Sequence, residues 1–162
     1  MKLLERNDAR LVFSLGSREK TFLERLLAFF PLEPQAHPLL SRDADPSLAD
    51  AETLLHESLR DRKKELAAWI QRRFSEGALT RAGSSWRLAL EPADQESLLQ
   101  VLNELRVSAW IRLGRPDELN EASWANNAAS ASLHAIMTLA GQFEMVLLAA
   151  LHGGIGTDTT EA

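Results

Sequence analysis

The sequence predicts a mainly α-helical fold, a four-helix core with one or two short β-hairpins at its edge. Two observations lead there. Apolar residues recur at helical spacing over three long stretches, about 47–74, 92–113 and 130–152, and over a shorter one, 18–30. Two other stretches, Leu11–Leu15 and Leu79–Leu90, follow strand periodicity beside turn residues. A chain of 162 residues can bury one core, so residues 1–152 are expected to form a single helical domain, with 153–162 as a disordered tail.

The elements follow in order. In "RLVFSL", Leu11, Phe13 and Leu15 alternate with Val12 and Ser14, and Asn7–Asp8 can turn this strand back on "KLL". Ser17 reads as the N-cap of a helix over 18–30, whose face is Phe22, Leu23, Leu26, Leu27 and Phe30. Pro31 and Pro34 end it. Residues 31–46 hold four of the six prolines and read as a surface loop. Ser47 or Asp50 caps a long helix that reaches about Phe74, with Glu76–Gly77 as its stop. "ALTRAGSSWRLALE" reads as a hairpin turning at Ala82–Ser85, with Trp86, Leu88 and Leu90 on one face. Pro92 opens the next helix, which Gly114 and Pro116 stop. A loop with a helical turn around Glu118–Trp124 leads to the last helix, about Ser130 to His152.

Composition narrows the function classes. With no cysteine the chain has no disulfide, thiolate zinc site or catalytic thiol, which suits a reducing cytoplasm. "MKLLERNDARLVF" turns charged by Glu5, unlike a signal peptide, and the longest apolar run, Met145–Leu151, is too short to span a bilayer. No membrane partner is therefore expected. The net charge of −5 is distributed in blocks: +2 over 1–30, −5 over 31–59, +4 over 60–115 and −6 over 116–162. The overall sign argues against nucleic acid, which needs clustered Lys and Arg. The best case for it is the basic face over 60–87, yet Asp61 and Glu65 interleave there, as expected of a solvated helix face with local pairs such as Asp61–Lys64.

No motif supplies chemistry. His37, His56, His134 and His152 have no metal-ligand spacing, and no nucleophile-elbow, phosphate-loop or dinucleotide pattern occurs. "HGGIG" follows a helix and so reads as a C-cap, because phosphate loops precede one. No catalytic residue, metal or cofactor is assigned, and the protein is not expected to be an enzyme.

The informative residues are charges inside apolar stripes. Arg112 falls at the edge of the stripe Leu98, Val101, Leu102, Leu105, Ala109 and Leu113. Glu144 lies within Leu133, Met137, Ala140, Leu147, Leu148 and Leu151, while Arg62 and Arg73 lie within Leu55, Leu59, Leu66, Trp69 and Ile70. A buried ion needs a partner, and arginine cannot escape by losing its proton. Glu144 is therefore expected to meet Arg112, Arg62 or both, either as an ion pair that fixes helix register or as the orienting acid of a small-anion pocket. A lone carboxylate is a poor enzyme signature. A second arc, Val107, Trp110 and Ile111, together with Trp124, forms an exposed patch for a protein partner or homodimer, or else is covered by the 115–130 loop.

"SLRDRKKELAAWI", "WRLALEPADQESLLQVLNELRVSAWIRLG" and the closing amphipathic helix together resemble an uncharacterised bacterial family best known from actinobacteria, a domain of unknown function. The resemblance rests on Leu59, Arg60 and Lys63, then Asn103, Glu104, Leu105 and Arg106, then Arg112, Leu113 and Gly114. It covers most of the chain beyond Pro46. This chain departs from the family in "SAWIRLG", where the family has a glycine before its second arginine, and in the proline-rich loop. The resemblance implies a helical fold and carries no activity; family members are often encoded near a Clp protease adaptor. The expectation for function is a non-enzymatic cytoplasmic protein that works through protein contacts, with anion binding and nucleic-acid binding as alternatives.

Overall fold

A computed structural model describes residues 1–32, 46–75, 77–115 and 128–153. It is a mixed α/β structure dominated by helix, with four helices and a four-stranded antiparallel sheet made of two hairpins. In chain order the elements are β1 (Lys2–Asn7), β2 (Arg10–Leu15), α1 (Ser17–Leu27), α2 (Pro46–Ser75), β3 (Leu79–Ala82), β4 (Ser85–Leu90), α3 (Pro92–Arg112) and α4 (Ala128–His152). The predicted turn around Glu118–Trp124, most of the proline-rich loop and all of the tail beyond Gly153 lie outside the described residues.

The two hairpins are one sheet, in the order β1-β2-β4-β3. Strands β2 and β4 pair at its centre, with Phe13 opposite Leu88 and Leu15 opposite Trp86. The sheet is thus part of the core, more than the edge decoration the sequence suggested. Leu11, Phe13, Leu15, Leu88 and Leu90 face the helices and are at most 2% exposed. Val12 is buried as well, although its alternation placed it outward. At the first turn Asn7 Oδ1 accepts the N–H groups of Ala9 and Arg10, both at 2.9 Å, an Asx-type turn that fixes the strand register.

Helix α1 starts one residue early. Its N-cap is Gly16, and Ser17 is the first helical residue. Glu19, the third helical residue, reaches back to accept the Gly16 N–H at 2.8 Å, the acidic half of a capping box. Leu23, Leu26 and Leu27 face the core, as does Phe30 just beyond the helix, whereas Phe22 is 44% exposed. Helix α3 runs through the middle of the core: Leu98, Val101, Leu102, Leu105 and Ala109 are essentially inaccessible. It ends where expected, with Gly114 at φ +88° and the Arg115 N–H donating to Trp110 O at 3.0 Å, a Schellman-type end that glycine permits. Helix α4 packs against α3 through Ile136, Met137, Ala140, Phe143, Leu147 and Ala150. By length and mean hydropathy, 1.5, α4 is apolar enough to cross a membrane, a test that core helices also pass. Its last turn is capped from the sheet, with Arg6 Nη2 donating to Leu151 O at 2.9 Å.

Helix α2 meets the rest of the fold differently. Its second half reaches the core through Leu66 and Ile70 and is fastened by polar contacts to the start of α3. Trp69 Nε1 donates to Asp94 Oδ1 at 2.9 Å, and Arg73 Nε donates to Asp94 Oδ2, also at 2.9 Å. Arg73 Nη2 reaches on to Ala89 O at 2.9 Å, so one guanidinium ties α2 to both α3 and β4. Trp69 stacks edge-on against Phe74. The stripe arginine Arg73 therefore does have an acidic partner, but it is Asp94 in the first turn of α3.

Asp94→Ala should cost about 2–4 kcal/mol in urea unfolding, because it strands a half-buried guanidinium and an indole N–H together. Asp94→Asn, which keeps an acceptor, should cost less.

A second consequence concerns Gly153, at φ +74°, where a Cβ would collide with the Arg6 guanidinium. Gly153→Ala should lower stability by about 1 kcal/mol or more, through backbone strain and displacement of the Arg6 cap.

Candidate functional site

The three charges expected to cluster do not. Arg62 is exposed and bonded to its neighbours: its Nε and Nη2 donate to Gln100 Oε1 at 2.9 and 2.6 Å, and its Nη1 to Glu65 at 3.1 Å. Arg112 is exposed at the end of α3, with no ion pair among the described residues. Glu144 is largely covered, its side chain 15% exposed, and its partner is Arg106 at 3.0 Å. The reason is geometric. Arg106 flanks the buried stripe of α3 and its side chain runs beside Gly141 of α4 to reach Glu144, whereas Arg112 stands exposed at the end of α3. A small-anion pocket of Arg62, Arg112 and Glu144 has no geometry to stand on.

What the helices share instead is a set of charged seams. Lys63 Nζ of α2 lies 2.7 Å from Glu104 Oε1 of α3, with both side chains at least two-thirds covered. The buried Ser108 hydroxyl donates to the same carboxylate at 3.4 Å. Arg106 bridges on to α4 through Glu144 and donates to Asn103 Oδ1 at 3.1 Å within α3. One pair of these residues, Lys63 and Glu104, joins the second helix to the third, while Arg106 and Asn103 meet within the third. Leu105 is in the core, Leu113 is partly buried, and Gly114 closes α3. Leu59 and Arg60 are exposed. The quoted motifs are largely the residues that hold helices together. Asp94, Gln95 and Glu144's true partner were missed, because a helical wheel orders residues around an axis and does not say which neighbour faces them.

Half of the bases over 60–87 are paired with the chain's own acids. Arg62, Lys63, Lys64 and Arg73 pair with Glu65, Glu104, Asp61 and Asp94. The Lys64–Asp61 contact, 3.0 Å, is the local pair expected from the spacing.

Grooves open on the surface among the described residues. One, of about 430 Å³, runs between α1 and α2 beside Leu27, Phe30, Ile70 and Phe74. Another, of about 470 Å³ and shallow, lies along α4 over Arg106, Glu144, Met145, Leu148 and His152. Neither gathers a catalytic constellation, and no group of three or more metal-ligating side chains occurs among the described residues.

The apolar surface is more informative. Of the predicted patch, Val107 is 39% and Trp110 38% exposed, and Ile111 is partly covered; Trp124 lies outside the described residues. A larger exposed feature is the first half of α2. Leu54, Leu55 and Leu59 are 67%, 49% and 48% exposed. Leu55 and Leu59 belong to the same stripe as Leu66 and Ile70, which are 5% and 8% exposed. The sequence reading put the whole stripe in the core, but the body of the fold covers only its second half.

Comparison of the chain with protein-family models, curated proteins and solved structures found no match.

A double-mutant cycle should separate the observed seam from the expected one. Arg106→Ala and Glu144→Gln should couple by about 0.5–1 kcal/mol in chemical unfolding, modest because Arg106 is half exposed. Arg112→Ala with Glu144→Gln should be additive, and Arg112→Ala alone should fall within about 0.5 kcal/mol of the parent.

Proposed function

We propose that the protein is a non-enzymatic cytoplasmic interaction protein whose contact surface is the first half of α2. The observation that carries this reading is the half-covered stripe. A leucine-bearing helix face continues out of the core and leaves Leu55 and Leu59 in water, with Leu54 exposed beside them. Scattered apolar residues on a surface need no explanation, but neighbouring leucines on one exposed helix segment mark a face that another surface covers. The absence of cysteine suits a cytoplasmic setting. The acids Asp61 and Glu65 interleave with the bases of α2 and the net charge is −5, which disfavours the nucleic-acid alternative.

The test is capture of the tagged full chain from its host lysate, with and without nuclease. A stoichiometric protein partner, whether another protein or the untagged chain itself, should survive nuclease and be lost from the Leu55→Glu, Leu59→Glu double variant. Recovery of no protein, or only of nuclease-sensitive material, would count against the reading.

A further inference from the structure

We propose that the chain pairs with a second copy of itself through the solvent face of α4, the two helices running antiparallel. This surface is separate from the α2 face assigned above to a partner.

Helix α4 carries one Asp, Glu, Lys or Arg in its 25 residues, Glu144, and that carboxylate is turned to Arg106 of α3. Its exposed positions include Ala131, Ala135, Thr138, Gln142, Met145 and Leu148, none of them charged. A solvated surface normally holds about a quarter to a third charged residues. The exposed face of α2 follows that pattern, with Arg60, Asp61, Lys64 and Glu65. On α4 the residues Ala131, Ala135, Thr138, Gln142, Met145 and Ala149 recur at alternating steps of four and three, the heptad spacing of a helix–helix seam. They lie on the side opposite Ile136, Ala140, Phe143 and Leu147, which face the core. Met145 stands 64% exposed in this seam.

The seam selects its occupant by size. It is narrow at one end, at Ala131 and Ala135, and wide at the other, at Gln142 and Met145. Parallel copies would set alanine against alanine and methionine against methionine, so the helices would touch at one end and splay at the other. A two-fold axis level with residue 140 instead places Met145 against the partner's Ala135 and Gln142 against the partner's Thr138. Each large side chain then has a small one opposite, and the helix dipoles run head to tail. The Gln142 carboxamide can donate to the partner's Thr138 hydroxyl, whose 3.4 Å contact with His134 within its own chain leaves a lone pair. No charge is desolvated, and two chains of net charge −5 repel each other least across such a face. A lipid surface is the poorer occupant, because interfacial helices carry Lys or Arg beside their apolar face and α4 has neither. From Ala131 to Ala149 the seam is about 27 Å long, so the pair buries on the order of 1,000 Å² in total, the lower end for a specific interface. Association should therefore depend on concentration.

Sedimentation equilibrium of the purified full chain, from low micromolar to about 1 mM, should show the mass rising from one chain towards two. Ala135→Glu and, separately, Met145→Lys should each weaken association by about tenfold or more, with the far-UV spectrum of the parent. Mixed in equal amounts, these two variants should associate again, since the antiparallel register sets the new acid against the new base. Direction is also read by cross-linking, because the parent has no cysteine. A mixture of the Ala135→Cys and Met145→Cys variants should form the mixed disulfide on oxidation. A single-chain mass at every concentration would overturn the proposal, as would a dimer indifferent to Ala135→Glu and Met145→Lys, or cross-linking dominated by Ala135→Cys with itself. Leu55→Glu with Leu59→Glu should leave the α4 dimer intact, so whatever the lysate capture loses with the leucines reports on α2 alone. A dimer lost with those leucines and kept by Ala135→Glu would move self-pairing to α2 and sink the α4 seam.

Discussion

The carboxylate of Asp94 is the point on which the arrangement of elements turns. It sits in the first turn of α3, where a negative charge complements the exposed amides of the helix start. There it receives the Trp69 indole and the Arg73 guanidinium from α2, while Arg73 extends to a carbonyl of β4. One partly buried acid thereby sets the position of the longest helix against both the sheet and the central helix. The apolar contacts of Leu66 and Ile70 supply cohesion, and the polar contacts define where along its axis α2 is held. Because the anchor lies near the C-terminal end of α2, the other end is carried outward as a consequence of the same geometry.

Much of this fold was legible in the sequence. Four helices and two hairpins follow from periodicity, Gly114 and the Asn7 turn from local backbone chemistry, and the Leu11–Phe13–Leu15 face from alternation. Harder to read were relations between elements. That β2 would join β4, turning two hairpins into one sheet, is a long-range pairing with no local signal. Ser17 lost the capping position because Glu19 caps Gly16 from inside the helix. Of the four stripe charges, Arg73 and Glu144 are covered and paired, Arg73 with Asp94 and Glu144 with Arg106 in place of the expected Arg112 or Arg62. Arg62 is exposed and bonded to Gln100 and Glu65, and Arg112 is exposed without an ion pair among the described residues. Periodicity also cannot show where the body of a protein stops, which is why Leu55 and Leu59 read as core alongside Leu66.

The motif residues acquire a physical meaning from these seams. Lys63–Glu104 joins α2 to α3, and Arg106–Glu144 joins α3 to α4. Each ion pair is worth little by itself at such exposure, but together they select one rotation of each helix among several that would bury similar apolar area. Residues of this kind preserve a scaffold and say nothing about chemistry. The part of the molecule that points outward, the first half of α2 with Leu54, Leu55 and Leu59, contributes least to the scaffold's own packing.

The central pairing of β2 with β4 has a consequence for how the chain acquires its structure. Residues 11–15 meet residues 86–90, with two helices and a strand between them in the chain. Closing so long a loop is entropically costly and slow compared with forming the adjacent hairpins. During synthesis the N-terminal hairpin emerges first, and its apolar face, Leu11, Phe13 and Leu15, has to wait for β4 and then for α3 and α4. For most of translation the sheet exists as a half whose open hydrogen-bonding edge is the strand that ends up at its centre. The nascent chain therefore passes through a stage when shielding of that hairpin, by the ribosome surface or a holding chaperone, decides between folding and aggregation.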